Sequence, residues 1–567
     1  MRSDRASRPP EPAKLTGTRN EWAVHPVLIA LFPIVSLYST HIGQVGLGEL
    51  AAPVVLTLVA CAGLWVLARA ILRDRHERGL VLTLVYTLFL NAHACLGLLQ
   101  SASGSAPSTM LATPAAILAV VAFGLCAVWL YARRHVRLVD VTRFLNRASA
   151  IGITVALGTG GYWIARQAQL EPPSVSMDAS APTPGDAPDI YYLLLDSYTS
   201  PAYLRDEFQF DNSDFVDALR SRGFFVPDDS RSNYSTTQLS LASSLNLNYL
   251  HELVPGATRQ TRVPAPLLAK LVQRSAVTAF LREREYQFVA FASGLTLTQV
   301  RDADEYLEPA NRNGLTEFQG VLLSRTPLGW AFRGTPAQEE GRRWGPTFKD
   351  RGVPFILETL PKLAKRPGRL FVFAHVFAPH PPHRLALPGE EPTGPRPFRA
   401  GYLAEVRYLN QHLLWAVDGI LAASPRSVIV IQGDHGPWSD YYQGLTAWPG
   451  SREGLIRERT QILTAVYVPG DRPADAIFYQ SVSPVNIFRR LFNHSFGVEL
   501  TQLPDDSCVC WWDDCKESFW TSSPAPVRGS PVVGLRMFPD AGRALLDTGD
   551  SAGEGSGRRA PDGAGSH

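Results

Sequence analysis

Long apolar segments, separated by short polar loops, occupy roughly the first third of the chain. Each of them has about the 20 residues that a helix needs to cross the hydrocarbon core of a bilayer, and each is nearly free of charge. The pattern therefore predicts five transmembrane helices, at Trp22 to Thr40, Leu50 to Ala68, Gly79 to Leu99, Leu111 to Ala132 and Ala148 to Ala165.

The loops between these segments differ in their arginine content. Arginine is frequent in the amino-terminal leader and in the stretches 69–78 and 133–147, whereas His41 to Glu49 and Gln100 to Met110 contain no Lys or Arg. Because loops rich in Lys and Arg stay in the cytoplasm, five crossings place everything after Ala165 outside the cell membrane. If the glycine-rich fifth segment did not cross, the same domain would lie inside.

A composition change after the last apolar segment marks the start of a separate domain. Residues 167–188 are rich in Pro, Ser and Ala and have no apolar period, which is typical of a linker. We expect a transmembrane region at 1–166, this linker, a catalytic-type domain at 189–524 and a mostly disordered tail at 525–567.

Apolar runs typical of strands alternate with amphipathic stretches in residues 189–524. A helical repeat spans Tyr402 to Leu421, and a shorter helix runs from Asn212 or Ser213 to a C-cap at Gly223. Strands that alternate with helices favour an α/β fold, with a mostly parallel sheet covered by helices on both faces. The predicted strands are Asp189 to Asp196, Phe288 to Ala292, Leu370 to Phe377, Ser427 to Ile431 and Ile462 to Val468.

Charge and cysteine content narrow the function classes only slightly. The formal net charge is +2 with 19% charged residues, so nothing indicates nucleic-acid binding. Cys508, Cys510 and Cys515 lie in the exported part, where a disulfide can form, but their spacing does not determine the pairing. One bridge with one thiol left over is the simplest arrangement, and a CxC...C metal site is the alternative.

Acidic side chains follow two of the predicted strands. Asp196 ends the first strand, and Asp434 and His435 follow Ser427 to Ile431 in the sequence GDHG. In open α/β sheets ligands bind outside the carboxyl ends of the strands, and carboxylate with imidazole suits a divalent zinc- or manganese-type cation. An ordinary polar turn is the alternative interpretation of DHG.

Two further stretches bring candidate chemistry to the same edge. His375, His380 and His383 cluster in FVFAHVFAPHPPH. The hydroxyl-rich stretch Arg231 to Asn246 leads into a predicted helix, whose free N–H groups favour an anionic group bound at its start. Its candidate nucleophiles are Ser235, Thr236, Thr237 and Ser240, although simple helix capping explains such residues equally well.

The order of these motifs resembles the sulfatase-like branch of the alkaline phosphatase superfamily. The resemblance covers residues 189–503, including VNIFRRLFN and LPDDS near its end. Membrane helices ahead of an exported domain resemble the lipoteichoic acid synthase and phosphoethanolamine transferase subgroup. The resemblance implies an alkaline-phosphatase-like α/β domain that binds one divalent cation, Mn²⁺ or Zn²⁺.

The resemblance also assigns roles to individual residues. It implies that Asp196, Thr237, Asp434 and His435 are the metal ligands. Thr237 is also the expected nucleophile, because the nucleophilic Thr of the family has a Ser three residues later, as Ser240 is here.

The remaining histidines and one arginine match the family less evenly. His380 is expected to contact the transferred group or to help the leaving group depart. His375 and His383 match less closely, which leaves a second metal open. For Arg459, the sequence allows either an anion-binding role or a surface salt bridge.

One departure from the family pattern separates phospho-group chemistry from sulfate chemistry. True sulfatases have a Cys or Ser followed by xPxR that is converted to formylglycine, whereas Thr237 is followed by QLSL. We therefore expect a membrane-anchored enzyme that transfers or hydrolyses a phospho group of phosphoglycerol or phosphoethanolamine type. Its partners would be the membrane lipids around it and, as substrate, an envelope lipid or glycan. The reaction would pass through a covalent phosphothreonine intermediate. A sulfuric ester hydrolase and an inactive module that binds an envelope polymer are the alternatives.

The arginine distribution predicts where a reporter fused after Gln167 will be active. An alkaline phosphatase reporter, which folds only outside the cytoplasm, should be active there, and a cytoplasmic fluorescent reporter should not. A fusion after Arg75, in an arginine-rich loop, serves as the opposite control. Fluorescence after Gln167 would reverse the predicted topology.

Overall fold

The structure is a computed structural model of the 567-residue chain. It describes residues 21–91, 134–169, 187–259, 261–309, 316–327, 346–390, 397–439, 452–511 and 514–522, with isolated positions between 124 and 131. These residues form a group of apolar helices followed by an α/β domain.

Four helices make up the described part of the amino-terminal region: α1 (His25–Thr40), α2 (Gly48–Ile71), α3 (Arg75–Leu90) and α4 (Leu138–Gln169). In the part of the chain that the structure describes, α2 and α4 are long and apolar enough to cross a membrane, and α1 is a shorter apolar helix. The fourth predicted span and the end of the third lie mostly outside the described residues, so the five-helix anchor is not confirmed.

The α/β domain is built on one six-stranded sheet with the strand order β3-β2-β4-β1-β5-β6. Its strands are β1 (Ile190–Leu195), β2 (Gln287–Phe291), β3 (Glu305–Leu307), β4 (Leu370–Val376), β5 (Val428–Gly433) and β6 (Thr464–Tyr467). Every neighbouring pair is parallel except β5 with β6. The mostly parallel sheet predicted from the sequence is therefore confirmed, with the short edge strand β3 as an addition.

Helices surround the sheet. In the described residues they are α5 (Pro201–Phe208), α6 (Ser213–Ser221), α7 (Thr237–Ser244), α8 (Leu250–Leu253), α9 (Ala265–Gln273), α10 (Ala276–Arg282), α11 (Glu317–Ser324), α12 (Pro346–Leu363), α13 (Phe398–Ala423), α14 (Arg452–Thr460) and α15 (Pro484–Phe496). The helix predicted to stop near Gly223 is α6, and Gly223 adopts φ +87°, a left-handed conformation that glycine reaches without strain.

Strand β1 shows why the sheet is buried on both faces. Its alternate residues Tyr192 and Leu194 pack into one apolar cluster, whereas Tyr191, Leu193 and Leu195 pack into the other. Side chains of successive strand residues point to opposite faces, so a continuous apolar run fits a strand covered by helices on both sides. The central strands are thus held rigidly, and their carboxyl ends are well-fixed points for a site.

A two-stranded hairpin closes the described chain. Strand β7 (Asp506–Trp511) pairs antiparallel with β8 (Asp514–Ser522). Within β7, Cys508 is fully buried, and its main chain bonds to Asn233 and Ser235. The side chains of Cys510 and Cys515 and the predicted tail lie outside the described residues, so the cysteine pairing stays a prediction.

The apolar helices and the α/β domain touch at several described positions. The Gln167 side chain at the end of α4 donates to the Pro266 carbonyl over 2.6 Å. The Arg301 guanidinium lies 2.7 Å from the Glu49 carboxylate at the start of α2. Phe318 of α11 packs with Ile34 of α1, so α11 lies against the apolar helices.

Candidate metal centre

The three central strands bring the predicted ligands to one edge of the sheet. Strand β1 lies between β4 and β5, with Leu195 level with Val376 on one side and Gly433 on the other. Asp196 and Asp434 are therefore the next residues after the paired ends of neighbouring strands. One ligand atom from each of Asp196, Asp434 and His435 lies within 4.8 Å of the others, and all three residues are buried.

The two carboxylates are held by main-chain and hydroxyl donors on one oxygen each. Oδ1 of Asp434 accepts 2.8 Å hydrogen bonds from the main-chain N–H groups of Ser197 and His435. Oδ1 of Asp196 accepts from the Ser197 hydroxyl over 3.1 Å. Among the described residues, Oδ2 of each carboxylate has no hydrogen-bond partner. Two buried oxygens without a donor are what a cation site provides.

The electrostatics of the pair also favour a cation between them. Burial, with the neighbouring Asp196 carboxylate, raises the pKa of Asp434, against the opposing effect of His435. Two ionised carboxylates buried this close together need a compensating positive charge that neither of them supplies.

His435 turns one nitrogen toward this point. Its Nδ1 lies 2.7 Å from the Gly436 carbonyl, which can only accept, so in the neutral ring Nδ1 carries the proton. Nε2 then has its lone pair directed at the site, 3.3 Å from Oδ2 of Asp434 and 3.0 Å from the Thr237 hydroxyl oxygen. This is the tautomer in which a histidine binds a metal through Nε2.

Gly436 allows the chain to turn at this place. A Cβ atom at this position would lie 1.6 Å from the Glu458 carbonyl oxygen, which no rotamer change relieves. The Gly436 N–H in turn donates to the Arg459 carbonyl over 3.0 Å. The second glycine of GDHG thus packs the turn against the end of α14, and the turn keeps His435 in place.

Thr237 is the first residue of α7, and Thr236 is its N-cap. The main chain of Ser235 beside it is held by two hydrogen bonds: its N–H donates to the Cys508 carbonyl over 3.2 Å, and the Trp438 indole donates to its carbonyl over 2.8 Å. Thr237 therefore sits at a helix amino terminus, with its hydroxyl oxygen 3.0 Å from Nε2 of His435. The predicted nucleophile meets the predicted ligands here, and Ser240 is buried one turn later.

The three histidines of FVFAHVFAPHPPH separate in space. His375 is fully buried in β4, with Nε2 3.3 Å from Oδ2 of Asp196. His380 lies in the following loop, and its main-chain N–H donates to the main-chain carbonyl of Asp196 over 3.1 Å. His383 instead faces Glu405, with 3.5 Å between Nδ1 and Oε2. Two of the three histidines thus lie beside the carboxylates and the third does not.

Partial burial sets the protonation of His380. Burial lowers the pKa of His380 to about 4, and the nearby Lys349 ammonium adds to the effect although Asp196 opposes it. The Nδ1 atom lies 2.5 Å from the Pro381 carbonyl, so the neutral ring carries its proton there. His380 is thus a neutral imidazole near pH 7.

A buried ion pair that the sequence did not reveal supports the His380 loop. The Lys349 ammonium donates to the Pro382 carbonyl over 3.0 Å, to the His380 carbonyl, and to the Glu405 carboxylate over 2.6 Å. Glu405 also accepts from the Arg384 N–H over 2.6 Å. Lys349 lies in α12, remote in sequence from the loop it supports, and no element was predicted for that stretch from the sequence.

Arg459 lies in the interior, not at the surface as the salt-bridge interpretation required. Its side chain is 2% exposed, and the guanidinium carbon lies 3.6 Å from the centre of the Trp438 ring. Stacking of this kind stabilises a buried arginine. The surface salt-bridge interpretation of Arg459 is therefore wrong.

The donor set fits a divalent cation. It combines two carboxylates, a neutral imidazole and a hydroxyl around buried oxygens that lack donors. Mixed oxygen and nitrogen donors suit zinc or manganese better than calcium or magnesium, which prefer oxygen alone.

The Lys349 pair predicts a stability effect at a distance from the metal ligands. Lys349→Met leaves the Glu405 carboxylate buried without its ammonium and should lower the free energy of unfolding by about 3–5 kcal/mol. The exposed Lys362 of the same helix is the control, and Lys362→Met should change it by less than about 0.5 kcal/mol. Equal melting temperatures for the two variants in detergent would contradict the pairing.

Comparison with known proteins identifies neighbours in structure only. No family model and no curated protein matches the sequence. The full-length lipooligosaccharide phosphoethanolamine transferase A of Neisseria meningitidis is 13% identical, with 84% of this chain and 96% of that chain covered and a TM-score of 0.38. The zinc complex of the periplasmic domain of EptC from Escherichia coli is 11% identical, covering 57% and 90% with a TM-score of 0.36.

A third neighbour, a protein in the alkaline phosphatase superfamily from Vibrio parahaemolyticus, is 11% identical, covers 63% of this chain and 81% of that chain, and has a TM-score of 0.39. The structure neighbours are phosphoethanolamine transferases and alkaline phosphatase superfamily proteins, the group that the sequence motifs resemble.

Proposed function

We propose that this protein is a membrane-anchored metalloenzyme that transfers or hydrolyses a phospho group through a covalent phosphothreonine at Thr237. The observation that carries the proposal is the meeting of the Thr237 hydroxyl with His435 at 3.0 Å, beside two buried carboxylates. A threonine that served only as a helix cap would have no reason to lie against this donor set.

The ligands of the proposal are Asp196, Thr237, Asp434 and His435, holding one divalent cation of the zinc or manganese type. When bound, such a cation lowers the pKa of a coordinated hydroxyl and offsets negative charge on a phosphoryl group. The chain supplies the rest. Thr237 lies at the start of α7, whose first N–H groups favour an anionic group there.

The reaction proposed at this site has two steps. In the first, Oγ1 of Thr237 gives its proton to water and bonds to phosphorus, while the bond from phosphorus to the donor oxygen breaks and that oxygen leaves with the electron pair. In the second, an acceptor hydroxyl or water attacks the phosphothreonine and restores Thr237. His380, a neutral imidazole beside Asp196, is assigned to the transferred group and to proton exchange with the leaving oxygen.

The sequence pattern supports the location and the substrate class. Five crossings with arginine-rich loops inside would hold the α/β domain at the outer surface of the membrane, within reach of an envelope lipid or glycan. Sulfate ester hydrolysis would need an aldehyde at position 237, and a threonine does not form formylglycine. An inactive polymer-binding module has no need of a nucleophile among metal ligands.

The metal proposal predicts the metal content of a single variant. Asp434→Ala removes a buried ligand and should reduce bound zinc or manganese to a small fraction of one equivalent after dialysis, measured by elemental analysis of the detergent-purified chain. Asp475→Ala removes an exposed carboxylate and should keep the full content. Full occupancy in Asp434→Ala would remove the central claim.

The nucleophile proposal predicts a covalent adduct. Thr237→Ala should lower turnover of a generic phosphodiester by about a thousandfold or more, because the attacking oxygen is gone. Thr236→Ala, its neighbour of similar exposure, should retain most activity. Mass spectrometry with a slow substrate should find about 80 Da, or that mass plus a head group, on the Thr237 peptide.

Three outcomes separate the alternatives. Release of the adduct by a phosphatase and accurate mass distinguish a phosphate from a sulfate, which has nearly the same nominal mass. Modification of Ser235 or Thr236 would move the nucleophile by one or two residues. Bound metal without turnover of any phosphodiester or sulfate ester, and without an adduct, would favour the binding module.

A further inference from the structure

A chain of buried hydroxyl groups lies behind His375, on the side of the ring that faces away from Asp196. Thr298 and Ser293 belong to the turn after β2, and both are fully buried, as is His375 itself. The Thr298 hydroxyl oxygen lies 2.7 Å from Nδ1 of His375 and 2.9 Å from the Ser293 hydroxyl oxygen. All three are polar residues in the buried interior, where each polar atom needs a partner.

The direction of the hydrogen bonds in this chain is determined by its far end. The Ser293 hydroxyl lies 3.1 Å from the Leu295 carbonyl, which can only accept, so Ser293 donates there. Having used its only proton, Ser293 accepts from the Leu295 N–H over 3.2 Å and from the Thr298 hydroxyl. Thr298 has then also used its only proton, and it can only accept from Nδ1 of His375.

His375 is therefore protonated on Nδ1, which leaves a lone pair on Nε2. That nitrogen lies 3.3 Å from Oδ2 of Asp196, and among the described residues neither atom has a hydrogen-bond partner. Two electron-pair donors face each other in the buried interior with no proton between them. Such a pair is unfavourable by itself and becomes favourable when a cation lies against both atoms.

We infer that Thr298, with Ser293 behind it, is a positioning residue that holds His375 as the Nδ1–H tautomer and so presents its Nε2 lone pair to the cation held by Asp196. His375 then adds a second imidazole to the donor set, on the side of Asp196 opposite to His435. The inference rests on the proposed function, since it requires a cation at Asp196.

The surroundings of the turn keep this arrangement in place. The Thr298 N–H donates to the Leu295 carbonyl over 3.1 Å, which closes the turn on itself. Next along the chain, the Gln299 carbonyl accepts from the Gln273 side chain. Arg301 then reaches both Gln299 and, over 2.7 Å, Glu49 at the start of α2. The hydroxyl chain is thus part of a braced segment, so its geometry does not depend on His375 alone.

The test measures Zn²⁺ affinity in the full chain purified in detergent, by competition with a chromophoric chelator. Thr298→Val keeps the shape of the side chain and removes the hydroxyl, and it should weaken Zn²⁺ binding roughly tenfold, as loss of a histidine-orienting partner does in other metal sites. Thr298→Ser keeps the hydroxyl and should bind as the parent protein does. Thr326→Val removes a buried hydroxyl far from the histidine and should also bind normally.

A second variant tests the direction of the hydrogen bonds. Ser293→Ala removes the group to which Thr298 donates, so Thr298 can turn its proton toward Nδ1 and favour the other tautomer of His375. We expect weaker Zn²⁺ binding in this variant too, although the Thr298 hydroxyl is still present. A purely structural role for Thr298 would leave Zn²⁺ affinity unchanged in every variant that still melts cooperatively.

X-ray absorption of the zinc-loaded protein counts the imidazoles directly. The parent protein should show the scattering of two imidazole rings, and His375→Gln should show one. Normal Zn²⁺ affinity in Thr298→Val and Ser293→Ala, together with one imidazole in the parent protein, would overturn this inference. If Asp434→Ala still lost its metal in that case, the proposed function would stand. Absence of bound zinc in the parent protein would overturn both.

Discussion

The site at the carboxyl edge of the sheet depends on two carboxylates that are buried side by side. Asp196 and Asp434 follow neighbouring parallel strands, so the geometry of the sheet brings them together whatever charge they carry. An ionised carboxylate in the protein interior costs several kcal/mol unless opposite charge or hydrogen bonds compensate it. Main-chain and hydroxyl donors satisfy one oxygen of each, and the remaining oxygens face the site.

The residues around the pair are organised to offer neutral donors. His435 and His375 are each protonated on Nδ1, one by a carbonyl and the other by a hydroxyl chain, and each turns Nε2 toward an aspartate. His380 is kept neutral by burial. A divalent cation satisfies carboxylates and imidazole lone pairs together, and in the proposed reaction it would also activate the Thr237 hydroxyl.

Support for the site comes from polar groups well outside it. Lys349 holds the carbonyls of the His380 loop, and Glu405 balances its charge in the interior. On the other side of the sheet edge, the turn that carries Thr298 is tied through Arg301 to Glu49 of the apolar helices. The site is thus fixed by the α/β domain and connected by an ion pair to the start of α2.

The fold class and the ends of the strands could be predicted from the sequence alone. Continuous apolar runs indicate strands that are buried on both faces, and a residue that directly follows such a run lies at the edge of the sheet. Asp196, Asp434 and His435 could therefore be recognised as candidate ligands. Thr237 was separated from Thr236 only by a family resemblance, since both precede the same helix. The strand order, which places β1 between β4 and β5, came from the tertiary structure.

The polar residues that support the site could be identified only from the way remote segments pack together. Lys349 is distant in sequence from the His380 loop that it contacts, and Thr298 and Ser293 are distant from His375. A lone polar residue carries no periodic signal, so no pattern marked them. It also separated three histidines that look alike in one short motif, because β4 buries His375 while the loop turns His383 toward Glu405. Local patterns report which face of an element is buried, whereas hydrogen bonds between remote segments depend on how those elements pack.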